Sequence, residues 1–143
     1  MNPKRLIIAI IVVFVGVWAT DFLIHGVWLQ STYAATMSLW RPEADMQAHM
    51  TWLMLGQFLF AAVFVVLWAK GFASLKCPGV ACLYGTLMGL FSQATTLITY
   101  AVQPFPAGLA VKWFVSGVVQ GLLVGLLVFF VYKPKPAEAK LQQ

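Results

Sequence analysis

Asp21 and His25 stand four residues apart inside an apolar run from Leu6 to Leu29. Four residues is about one helical turn, so the carboxylate and the imidazole share a face. Asp45 and His49 repeat the spacing, and the two pairs hold both histidines and two of the four acids in the chain. Carboxylate and neutral imidazole suit zinc, copper or iron, and two histidines with one acid leave a coordination position open. Asp21, His25 and His49 are therefore the expected metal ligands, with Asp45 further out as an outer partner. Haem held between His25 and His49 is the variant. No Walker loop, zincin HExxH or activated nucleophile accompanies these residues, which argues for binding rather than catalysis.

Composition says what frame must hold them. Apolar residues make up 62% of the chain and charged ones 9%, against roughly half and a quarter in soluble domains. Long uncharged runs point to an integral membrane protein with the lipid bilayer as its first partner. The net charge of +5 is carried by lysines and arginines at segment ends. That is the pattern of topology signals and anionic-lipid contacts, not of a nucleic-acid footprint. Cys77 and Cys82 flank Pro78-Gly79 without making a CxxC pair, and read as two reduced thiols.

The apolar pattern predicts four membrane helices at about 6–29, 42–69, 80–101 and 109–132. The first is too long for the apolar core of a signal peptide. A polar stretch from Gln30 to about Arg41 precedes Pro42, which suits a first helical position, with Glu43 and Asp45 favouring the helix dipole. Together the helices form one all-α domain over 1–136, a polytopic four-helix bundle, with 137–143 as a loose cytoplasmic tail. Lys4, Arg5, Lys70, Lys76, Lys133, Lys135 and Lys140 fall on one side, and Arg41 and Lys112 on the other. The positive-inside rule then makes both termini and the middle loop cytoplasmic. Gly85 and Gly89, and the run Gly117, Gly121, Gly125, are small-residue ridges that fit close helix packing, or a homodimer or larger membrane complex.

Counting along each helix gives depth. His25 lies about 28 Å from Leu6 and His49 about 30 Å from Ala69, so the imidazoles come out level. Thr99, Tyr100, Lys112 and Trp113 fall at a similar height. Gln93, Thr96 and Tyr100 share a stripe on the third helix, as Lys112, Ser116 and Gln120 do on the fourth. The expected result is an apolar cytoplasmic half and an outward polar pocket of Asp21, His25, His49, Gln93, Thr96, Tyr100, Lys112 and Gln120. It would bind a metal ion or a small ligand. The alternative is a structural network in an accessory or scaffold subunit, with Asp21 bonded to His25 and Lys112 balancing the charge.

The layout from Gly16 to Trp28, the segment Arg41-Pro42-Glu43-Ala44-Asp45-Met46, the glycine-rich third and fourth helices and the basic tail resemble small bacterial inner-membrane proteins of unassigned function. The resemblance implies a multi-pass protein of the bacterial plasma membrane and carries no active site with it.

Overall fold

Asn2 and Pro3 start the first helix. The Asn2 side chain accepts from the Arg5 N–H at 3.3 Å, and Pro3 takes the first helical position, where its missing N–H costs nothing. In this computed structural model, which describes residues 2–132 and 134, α1 (Pro3–Asp21) runs straight into a wider π-helical segment, Phe22–Trp28. The Leu29 N–H closes it on the Ile24 carbonyl, five residues back. Lys133, Lys135, Lys140, Pro136 and the tail 137–143 lie outside the described residues.

The polar stretch from Gln30 to about Arg41 is partly helical. Gln30–Ala35 forms α2 and Met37–Leu39 a single tight turn. Leu29 is fully buried beneath them. The Thr36 hydroxyl donates to the Thr32 carbonyl at 2.8 Å and accepts from Trp40 Nε1 at 2.9 Å. These bonds are local to the segment; those from Trp113 to Tyr33 and from Lys112 to Thr32 tie it to the fourth span.

The helix expected over 42–69 is split. Glu43–Ala48 forms α3, His49 interrupts with φ −96° and ψ 1°, and Met50–Gly71 forms α4. His49 Nδ1 donates to the Asp45 carbonyl at 2.7 Å, which turns the ring back along its own segment. Pro78 opens α5 (Pro78–Val102), and α6 covers Ala107–Val131. The spans Pro3–Trp28, Met50–Gly71, Pro78–Val102 and Ala107–Val131 are long and apolar enough to cross a membrane. The shortest has 22 residues and reaches about 33 Å, against a hydrocarbon core of about 30 Å.

α5 and α6 make the most extensive helix contact, while α1 packs on α4 and α6. The glycine ridges explain the first of these. A Cβ added at Gly121 would lie 2.6 Å from the Gly85 carbonyl oxygen and 2.7 Å from Gly89 Cα. Only the absence of side chains allows that approach. The ridge is thus occupied within the chain, and a second copy would have to use another face.

Two apolar clusters result. One, at the Gly71 and Pro78 ends of α4 and α5, joins Val13, Phe64, Val65, Trp68, Tyr84, Val124 and Val128. The Tyr84 hydroxyl donates to the Phe64 carbonyl there at 2.5 Å. The other, at the opposite end, joins Leu29, Phe105, Leu109 and Ala110 with Ile24, Tyr33, Trp40 and Trp113. α4 and α5 meet at the first cluster, where Tyr84 touches Phe64 and Trp68. They are not otherwise among the closely packed helix pairs.

Candidate functional site

Between the two clusters lies a cavity of about 400 Å³. All four spans line it. α1 with its π-helical extension contributes Asp21 and His25, α4 Gly56, Gln57 and Phe60, α5 Ser92, Gln93 and Thr96, and α6 Trp113, Ser116 and Gln120.

Asp21 is its centre. Oδ2 accepts from Gln57 Nε2 at 2.5 Å and Oδ1 from Gln120 Nε2 at 2.7 Å. The same Gln120 nitrogen reaches Thr20 Oγ1 at 2.7 Å, and that hydroxyl donates to the Gly16 carbonyl at 2.8 Å. Hydrogen bonds to an ionised acceptor are short and strong, so two amides hold the carboxylate in place. They do not neutralise it. The ion pairs found among the described residues, Arg41–Asp45 and His49–Asp45, are both elsewhere.

His25 belongs to a second chain of bonds. Trp113 Nε1 donates to the Tyr33 hydroxyl at 2.7 Å, and that oxygen lies 2.5 Å from His25 Nδ1. A phenol oxygen has one proton and two lone pairs, so it can hold the Trp113 N–H and the His25 ring nitrogen together. Burial pushes the Tyr33 phenol above its ordinary range; the Trp113 bond opposes this and the Asp21 charge adds to it. Tyr33, Trp40, Trp113 and Phe105 pack edge-on and tilted into an aromatic cluster, with ring centroids 5.0 to 6.4 Å apart.

Of the residues expected in the pocket, Asp21, His25, Gln93, Thr96 and Gln120 line one cavity. His49, Tyr100 and Lys112 do not. His49 is held by Asp45, through its backbone carbonyl and through Oδ1 at 3.2 Å. Tyr100 packs against Phe105, with centroids 5.7 Å apart. Lys112 donates to the Thr32 hydroxyl at 3.2 Å and sits 6.0 Å from the Trp28 ring centroid. His49 is set apart by the break ahead of α4, whereas Tyr100 and Lys112 share faces with Thr96 and Ser116 and lie one turn beyond them. The hydrogen bonds of Asp21 run to Gln57 and Gln120, and His25 Nδ1 is bonded to Tyr33. Arg41 donates to Asp45 Oδ2 at 2.8 Å, and this bond holds the Asp45 carboxyl below its usual range.

Asp21, His25 and His49 therefore do not converge as expected. Among the described residues no group of three His, Cys, Asp or Glu side chains is placed to hold a metal ion. The expectation also missed Gln57 and Tyr33. Gln57 had a signal, being the one amide in the apolar stretch from Thr51 to Ala69. Tyr33 had none, since its position depends on how the Gln30–Trp40 segment folds back.

Comparison with known protein families, curated proteins and solved structures finds no match to this chain.

Proposed function

We propose that the chain is a multi-pass protein of the bacterial plasma membrane that binds a small polar ligand in the cavity between its spans. The observation that carries this reading is Asp21: a carboxylate within a span, held by two amides and, among the described residues, by no basic side chain, on the wall of a cavity of about 400 Å³. An ionisable group at such depth is costly and marks a site more often than a fold requirement. Lys4, Arg5, Lys70 and Lys76 lie at one end of the spans and Arg41 and Lys112 at the other. That distribution supports cytoplasmic termini and a cytoplasmic loop between α4 and α5.

Native mass spectrometry of mildly solubilised protein tests the binding. A bound small molecule that disappears in Asp21→Asn is expected; an adduct-free parent chain overturns the reading. Reporter fusions after Lys76 and within Gln30–Trp40 should report opposite sides of the membrane. An outside result after Lys76 refutes the topology.

One observation favours a second reading, an accessory or scaffold subunit with a structural polar network. Both Asp21 oxygens and His25 Nδ1 already have internal partners. Recovery of the chain always with other subunits and never with a ligand supports that reading.

A further inference from the structure

We propose that the ligand is an amphiphilic amine, its protonated head against Asp21 and its alkyl chain leaving the cavity sideways between α4 and α5. This rests on the small-ligand reading above and supplies the chemical class. Two independent observations lead to it, one about charge and one about shape.

Among the described residues that line the cavity, Asp21 is the acid, and no lysine or arginine lies with it. Lys112, the nearest candidate counter-ion by sequence, is committed to Thr32 and the Trp28 ring. His25 Nδ1 is engaged by the Tyr33 hydroxyl. A primary ammonium group brings one positive charge and three donors. It can compensate the carboxylate. A neutral solute leaves the charge uncompensated, and an anion is repelled. The rings of Trp113 and Phe60 on the walls also favour a cation over an anion.

The shape selects the tail. The cluster of Tyr33, Trp40, Trp113 and Phe105 packs at one end of the bundle. Phe64, Trp68 and Tyr84 pack at the other. The glycine ridges seal α5 against α6, and α1 is packed on α4 and α6. The seam between α4 and α5 is what remains. Gly56 stands at that seam, exposed, and a Cβ added to it would meet nothing within 4 Å. The helices on either side present Leu53, Leu59 and Phe91 outward, all exposed. A gap between such helices faces hydrocarbon, so the part of a ligand lying in it must be apolar.

The test uses the full chain in phosphatidylcholine nanodiscs, with binding followed by native mass spectrometry and by tryptophan fluorescence. The probes are decylamine, decanoic acid, decanol and ethylamine. Decylamine is expected to occupy one site per chain, ethylamine to bind more weakly, and decanoic acid and decanol not to compete. Asp21→Asn should weaken decylamine by roughly ten- to a hundredfold, the scale of hydrogen bonds to a charged group. Gly56→Leu should fill the seam and reduce decylamine binding with the melting temperature unchanged. Equal competition by decanoic acid in the parent chain overturns the amine assignment, whether or not Asp21→Asn folds. Parent-like decylamine binding in folded Asp21→Asn does so too, and parent-like binding in Gly56→Leu overturns the lateral exit. If decylamine fails but a native adduct still depends on Asp21, the amine class falls and the ligand-binding reading stands. If neither binds, both fall.

Discussion

One methyl group at Gly121 tests the packing that gives the cavity its far wall. The Cβ of Gly121→Ala would sit 2.6 Å from the Gly85 oxygen, 2.7 Å from Gly89 Cα and 2.9 Å from Gly89 N. All three are backbone atoms, which cannot rotate aside. Ordinary contact begins at 3.4 Å, so the axes must part by most of the difference, and a gap of about 0.5–1 Å forfeits a quarter to a half of each dispersion contact across it. Because α5 on α6 is the most extensive helix contact in the chain, the loss is repeated along it. Overpacking of this kind costs about 1–3 kcal/mol, while alanine's helix preference over glycine returns up to about 1 kcal/mol. Gly56→Ala receives the same return with nothing to meet within 4 Å. Comparing the two variants cancels the propensity, leaving an expected gap of about 1–3 kcal/mol. Denaturant unfolding in one detergent, followed by tryptophan fluorescence, measures it. Gly121→Ala unfolding at or above the Gly56→Ala midpoint would refute the reasoning.

Tyr33→Phe removes the hydroxyl that accepts from Trp113 and bonds His25, and should cost about 1–2 kcal/mol with a shift in tryptophan emission; unchanged stability counts against the chain of bonds. Because the folded phenol of Tyr33 lies above its ordinary range, its stabilisation is complete below about pH 10 and lost as pH rises through the higher folded value. Tyrosinate absorbance of the parent minus that of Tyr33→Phe should therefore show no step near pH 10. Asp45 has the opposite sign: its contribution is present above the usual carboxylate range and lost as pH falls through the lower folded value. The pair with Arg41 is exposed, so any difference between Asp45→Asn and the parent should vanish in high salt. His49→Ala should melt identically with and without added zinc, since the bonds of its ring run to Asp45; a zinc-dependent difference would restore His49 to the site.

Four spans, the inward place of Asp21 and the close approach of two glycine-bearing helices are legible in the residues alone. The spans follow because a run of about 20 apolar residues has few other ways to satisfy its backbone in hydrocarbon. Asp21 follows from the cost of ionisable groups at depth. The glycines show that two helices meet closely, and only the fold pairs Gly121 with Gly85 and Gly89. The membership of the cavity divides along the same line. Counting residues gives height on a helix, and it placed His25, His49 and Lys112 level. It gives the facing of a helix only while the helix is regular. The π-helical turn at Phe22–Trp28 and the break at His49 each reset that angle. Whether Lys112 reached Asp21 or Thr32 depended on α2, six residues whose helical preference is too weak to read locally. Their position comes from Leu29, Tyr33 and Trp40 packing onto Phe105, Leu109 and Trp113, contacts made across some 70 or 80 residues of chain. Local sequence carries the height of a polar group; packing between distant segments decides which neighbour it meets.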